Sequence, residues 1–357
     1  MSNTKARILS TVIGMAVAGL AQTAGADTLR LLTWGGYAPE DVVAMFEAET
    51  GHTVEVTLSN NEEMIAKLRA TAGGGFDLAQ PSQDRIAGPQ EEFRIYKPID
   101  MSQIDQSQFI PSMLEATMTN TTVGGEVYGV PHVWGTSGLV VDTSKAAGVK
   151  DYTDLCAPEV AGKVSYRLKR PTLIGFAFAM GMDPFAAYGD EAAYTDIMQK
   201  VEAKLIECKP NVKTYWGGGD ELMNLVRSGE VVAAMAWDTG GWKLNADNPD
   251  VTFVAPASGA LGWIDTFALP AKGQADEAAY AWINFVMRPE IAAKITATAG
   301  NFTASKGADA FADDALKARY QASFPPEAVD NIKWYPPVPA GLEAIEGGVL
   351  DRVKAAN

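Results

Sequence analysis

The sequence predicts an α/β protein of two lobes, each built on a mixed, mostly parallel sheet, with a cleft between them. Three observations carry this expectation. Between Leu29 and Ser82 the hydropathy runs strand, helix, strand, helix, strand, the pattern of parallel βαβ units. The same alternation returns between Lys163 and Met287. No Gly-, Ser- or Pro-rich linker separates the two blocks, so strands crossing directly from lobe to lobe are expected, and such crossings act as hinges.

The elements follow in order. Leu29 to Thr33 is a short apolar strand that runs into Trp34-Gly35-Gly36-Tyr37. Pro39 suits a first helical position, and Val42, Val43 and Phe46 follow at helical spacing until Gly51 stops the helix. Thr53 to Leu58 alternates polar and apolar, as a strand does. Asn60 with Glu63 predicts a helix start ahead of Met64, Ile65 and Leu68. Gly73-Gly74-Gly75 ends that helix, and Phe76 to Ala79 is a strand leading to Pro81-Ser82. Later come a strand at Lys163–Tyr166 and helices at Ile174–Met180, Asp190–Leu205 and Asp220–Val226. Val231 to Trp237 is a strand without charge, as in the middle of a covered sheet. Trp263 to Leu269 is another, and Ala278 to Met287 is a helix ended by Arg288-Pro289. The tail, with Pro336-Pro337-Val338-Pro339 before a last helix, suits a segment wrapped over a surface.

Of 357 residues, 47% are hydrophobic and 20% charged, which excludes a disordered or fibrous chain. The formal net charge of -15 is the wrong sign for a nucleic-acid binder. Residues 1–26 read as an export signal: Lys5 and Arg7, an apolar stretch from Ile8 to Leu20, then Ala24-Gly25-Ala26 for cleavage near Ala26. The apolar stretch is shorter than the roughly 20 residues a membrane span needs. An exported chain meets oxidising conditions, so Cys156 and Cys208 could pair, a loop closure worth about 4 kcal/mol, or stay as two buried thiols.

Catalytic chemistry finds little support. The two histidines are separate: His52 is expected in a surface turn, and His132 as a satisfied core or surface residue. Clustered metal ligands, a phosphate-binding glycine loop, a nucleophile elbow and an adjacent tyrosine pair for iron are all missing from the sequence. No cofactor and no metal is expected.

Tryptophan placement is the positive signal. Trp34, Trp237 and Trp263 terminate expected strands, while Trp134 and Trp216 fall in expected loops. Ligands of open parallel sheets bind beyond the carboxyl ends of the strands. Asp238 directly follows Trp237, and Asp265 lies two residues beyond Trp263. Aromatic faces beside carboxylates suit an organic amine.

Several segments carry a resemblance: Leu31-Leu32-Thr33-Trp34 with Tyr37, Phe46-Glu47 with Glu49-Thr50-Gly51, Phe76-Asp77-Leu78 leading to Pro81-Ser82, Pro131 with Trp134-Gly135-Thr136, Ala236-Trp237, Gly262-Trp263-Ile264-Asp265-Thr266, and Ile283-Asn284-Phe285-Val286-Met287-Arg288-Pro289. Together, over nearly all the mature chain, they resemble the spermidine/putrescine-binding family of periplasmic solute-binding proteins from ABC importers. The resemblance implies the two-lobed type II periplasmic-binding fold, closing over a linear amine, with an inner-membrane permease as partner. Trp34, Tyr37, Ser82, Trp237 and Trp263 would box the methylene chain, and Asp265 would bind an ammonium group. Asp84, Trp134, Thr172, Asp238 and Asn301 complete the candidate set around them. The expected lobes are 27–136 plus 264–308, and 137–263 plus 309–357. A periplasmic monomer is expected. A thiamine or sugar carrier on the same fold is the alternative, and an enzyme is disfavoured.

The sequence departs from that family at one point. Where the family places acids after Gly162-Lys163-Val164-Ser165, this chain has Arg167, Lys169 and Arg170, and Arg85 adds a fourth cation. They form either a solvated basic loop beside a polyamine site or a site for an anionic group. In the second reading the helix after Pro171 would turn free N–H groups to the same place, and arginine suits carboxylate, sulfonate or phosphonate. The ligand is then a polyamine, or an amine with a separated anion.

Overall fold

The computed structural model describes residues 26–356. The export segment expected over 1–26 lies outside them except for Ala26. The first lobe opens with β1 (Thr28–Thr33), α1 (Glu40–Thr50), β2 (Thr53–Leu58), α2 (Asn61–Ala70) and β3 (Leu78–Ala79). Gly51, at φ 78°, ends α1 in the left-handed conformation, and the Asn60 side chain caps α2 by accepting from Glu63 N–H. The strands pair in parallel in the order β2-β1-β3.

A 13-residue strand, β4 (Val130–Asp142), then leaves this lobe and enters the second. There follow β5 (Val164–Tyr166), α3 (Arg170–Ala179), α4 (Glu191–Glu207), β6 (Val212–Tyr215), α5 (Gly219–Arg227), β7 (Ala233–Trp237), α6 (Asp238–Asp247) and β8 (Val251–Val254). Strand β9 (Leu261–Phe267) returns along β4, and α7 (Asp276–Val286) and α8 (Pro289–Ala299) pack back on the first lobe. Helix α9 (Leu342–Ala355) closes the chain on the second. In the eight-stranded sheet, β6, β5 and β7 are parallel, while β7, β8 and β9 run antiparallel to β4.

The buried side chains divide into four clusters. Two draw on residues 29–133 and 267–304, and two on 139–261 and 324–353. Trp263 packs against a cluster on each side. Cys156 and Cys208 are joined in a disulfide that ties a short 3-10 turn to the end of α4.

Three expectations need correction, and a fourth is extended. Trp134 sits inside β4, not in a loop. The strand is masked in the sequence by Gly135 and Gly138, and both glycines answer to packing. A Cβ on Gly135 would come 2.6 Å from the Trp263 ring, and one on Gly138 2.6 Å from Phe253. Arg288-Pro289 does not merely end a helix; Pro289 occupies the first turn of α8, where its missing N–H costs nothing. His52 is buried, not in a surface turn: its Nδ1 accepts from Asp27 N–H at 3.1 Å and its ring stacks on Phe46. Trp263 is also the third residue of its strand and not at an end.

The disulfide spans 52 residues of sequence, and cross-linking that loop stabilises the fold by about 4 kcal/mol in the chain-entropy model. The Cys156→Ser/Cys208→Ser double variant should therefore unfold at clearly lower denaturant concentration, while its ligand affinity stays unchanged because neither residue lines the cleft.

Candidate ligand-binding cleft

The carboxyl ends of the strands in both lobes face one cleft of about 520 Å³. Of the expected residues, Trp34, Tyr37, Ser82, Asp84, Arg85, Arg167, Lys169, Arg170, Trp237, Trp263, Asp265 and Asn301 line it. Trp134, Thr172 and Asp238 do not. Trp134 packs on Phe302, Tyr320 and Trp334 instead. The Thr172 hydroxyl turns inward, donating to the Arg167 carbonyl.

Asp265 lies where β9 slips against β4: Asp265 pairs with Val133 and Thr266 with Pro131, leaving His132 as the extra residue. Such bulges re-aim side chains beside functional sites. Its Oδ2 accepts from Tyr37 OH at 2.6 Å and its Oδ1 from Ser82 Oγ at 2.5 Å. Ser82 is held in turn by Asn61, whose Oδ1 accepts from Ser82 N–H and whose Nδ2 donates to Ser82 Oγ, both at 2.9 Å. Burial pushes the Asp265 carboxyl up to about 7, the two hydrogen bonds oppose that rise, and the nearby Asp84 charge adds to it. An ionised carboxylate has about four acceptor positions, and here two are filled.

Asp238 makes an instructive contrast. It accepts from Thr136 N–H and Oγ1, Thr239 N–H and Asn301 Nδ2, at 2.7–2.9 Å. Burial raises it to about 6, against the pull of those donors. Its acceptor capacity is spent on fastening α6 to β4 and to Asn301, so it supports the cleft wall from behind.

The aromatic walls are positioned as firmly. Trp34 Nε1 donates to the Gln80 carbonyl at 2.8 Å. Trp216 and Trp237 meet edge to face at 5.1 Å, and the Arg167 guanidinium lies over both, 5.4 and 5.2 Å from their ring centres. His132 is a core residue behind Tyr37, with Nδ1 2.6 Å from Gln80 Nε2, and burial holds it down at about 3.

Sequence reasoning missed Asn61, Glu62, Asp220, Met223, Lys243 and Tyr335, all of which line the cleft. Asn61 and Glu62 open α2 just after β2, and Asp220 lies in the first turn of α5 after β6. Helices that follow strand ends start at the crevice, so their positions just after β2 and β6 are the signal that places them there, and aromatic strand ends alone do not give it.

The family model for bacterial extracellular solute-binding proteins matches residues 41–323. The chain belongs to this family. Among the relatives of this solute-binding protein, the spermidine/putrescine-binding periplasmic protein of Escherichia coli K12 is 28% identical over 281 residues, covering 77% of this chain and 76% of the relative. Among solved structures, the spermidine/putrescine ABC transporter substrate-binding protein of Streptococcus pneumoniae superposes with a TM-score of 0.74 at 21% identity, covering 93% of this chain and 99% of that one. A GABA receptor does so with a TM-score of 0.68 at 16% identity, covering 92% and 97%. The fold is accordingly the two-lobed type II periplasmic-binding architecture, as the sequence predicts.

Removing the Asp238 carboxylate strands four donors, three of them in buried hydrogen bonds. Asp238→Ala should lower stability by about 2–4 kcal/mol in a thermal or denaturant melt. Measured below the melting range, ligand affinity should fall far less than stability does; a large affinity loss at unchanged melting temperature would place Asp238 in contact with ligand after all.

Proposed function

We propose that this solute-binding protein captures a small amine between its lobes and delivers it to an inner-membrane ABC permease. The observation that carries the reading is Asp265: a carboxylate buried among Trp34, Tyr37, Trp237 and Trp263 at the cleft, with half its acceptor positions open. An ammonium group completes it. The aromatic faces take the methylenes, and ring quadrupoles favour the cation. The relatives named for spermidine and putrescine support the same class of ligand.

The lobes of this reading are 27–136 plus 264–308 and 137–263 plus 309–357, a division supported by the four core clusters. Ligand enters the open cleft, contacts both lobes at once, and so favours the closed form. β4 and β9 serve as the hinge. The protein works as a periplasmic monomer, exported by residues 1–26 and cleaved near Ala26, with no chemistry of its own. Among the described residues no helix is long and apolar enough to cross a membrane.

Asp265→Asn keeps the shape and removes the charge. It should cut affinity for putrescine by about 100-fold or more in calorimetric titration, the effect of losing a buried charge partner. An unchanged affinity would remove the amine reading.

The carboxyl also sets a pH dependence. In the empty protein Asp265 holds its proton up to about pH 7, whereas the unfolded chain loses it near 4. The folded state thus binds more protons across that window, and Asp265 makes the empty protein less stable as pH rises through it. A bound ammonium needs the ionised form, so amine affinity and the ligand-induced rise in melting temperature should grow from pH 5.5 to 8. Parallel thermal melts with and without putrescine check the sign.

A further inference from the structure

Charge accounting along the cleft separates its cations into two kinds. Arg170 is buried and donates to Glu346 Oε1 at 2.5 Å and to Tyr188 OH; Tyr194 OH donates to the same Glu346 oxygen. Arg85 is buried against Glu343 and lies 3.4 Å from its neighbour Asp84. Both are neutralised by acids behind the wall. Arg167 is different. Its guanidinium faces the cleft, half-buried over Trp216 and Trp237, and among the described residues it makes no ion pair and no side-chain hydrogen bond. Lys169 lines the same stretch, exposed and equally without an acidic partner among the described residues. Glu62 is the acid whose field reaches Arg167, from α2 on the opposite lobe.

We propose that the cleft takes an amine that also carries an anionic group, a carboxylate or sulfonate, and that Arg167 receives that group while Asp265 holds the ammonium. The proposal rests on the amine reading above. A half-buried guanidinium with five donors and no acceptor is costly unless a ligand supplies one, and its planar fork matches the two oxygens of a carboxylate or sulfonate. Burial lowers the Arg167 pKa, the mark of a charge short of partners. With Arg85 and Arg170 set against Glu343 and Glu346, the cations left in the lining are Arg167, Lys169 and Lys243, of which Arg167 alone is half-buried. A second ammonium brought over Trp216 and Trp237 would meet that like charge directly, and like charges in a closed cleft repel. The helix start contributes less than the sequence suggests: Pro171 has no N–H and Thr172 N–H already donates to the Lys169 carbonyl. The larger share of anion recognition falls to the side chains.

Length-matched pairs test this on the full mature chain at pH 8: putrescine against γ-aminobutyrate and cadaverine against 5-aminovalerate, with glutarate as an anion lacking an amine, all by calorimetry. The amino acids should bind at least tenfold tighter than their diamines. Arg167→Gln should weaken the amino acids by about 10–100-fold, the range of one charged hydrogen-bonded contact, and leave or improve the diamines, with Arg167→Lys in between. Diamines binding tighter to the unaltered protein, with Arg167→Gln harmless to amino acids, overturns the proposal and leaves the amine reading standing. A loss shared by diamines and amino acids in both variants assigns Arg167 to cleft shape and equally overturns it. Glutarate binding that Asp265→Asn does not disturb sinks the amine reading instead.

Discussion

Strand β4 is the constraint on which both lobes depend. Its first residues, Val130 and Val133, belong to one core, and Leu139 to Val141 belong to those of the other. All but one of its 13 residues are buried, and strands from both lobes pair with it. Sliding the lobes past one another would break this backbone pairing, whereas twisting β4 and β9 where they cross would keep it. Strand twist already varies from sheet to sheet, so such a twist stays within what sheets adopt. The site grows out of the same crossing. Gly135 leaves room for Trp263, and the slip opposite His132 turns Asp265 toward Ser82 and Tyr37.

Two buried aspartates close to this crossing show how one side chain can serve as a bracket or as a receptor. Asp238 meets four donors and has nothing left to offer. Asp265 meets two, and burial raises its carboxyl, so on the proposed reading an arriving cation would fill its open positions and favour its charged form. Proximity to a tryptophan, which is what drew attention to both in the sequence, does not separate them. Counting donors does.

The local order of the fold was legible because it is written locally. The capping of α2 by Asn60, the stop of α1 at Gly51 and the uncharged run of β7 each depend on residues within one element. β4 was not legible, because its glycines are explained by Trp263 and Phe253, more than a hundred residues away in sequence. Strand-end aromatics and acids point to Trp34, Trp237, Trp263 and Asp265, the resemblance adds Tyr37 and Ser82, and the basic segment adds Arg167, Lys169 and Arg170, all of which line the cleft. Trp134 and Thr172 were not separated from it, since sequence gives the neighbourhood of a side chain but not its direction: one turns to Phe302 and Trp334, the other to the Arg167 carbonyl.

The basic segment shows the same limit most sharply. In sequence Arg167, Lys169 and Arg170 form one cluster with one apparent purpose. In space Arg170 belongs to Glu346, and Arg85 to Glu343, two acids one turn apart on α9 at the far end of the chain. The carboxyl-terminal segment is therefore part of the charge balance of the cleft, reaching it past Asp84, whose carbonyl accepts from Val338 N–H. Only after those pairs are removed does a single half-buried cation stand out. On the proposed reading, a cleft that neutralises two arginines from behind and leaves a third over two tryptophans selects through what it withholds. Repulsion at Arg167 would then disfavour a second ammonium while attraction favours an anion, and the discrimination draws on both.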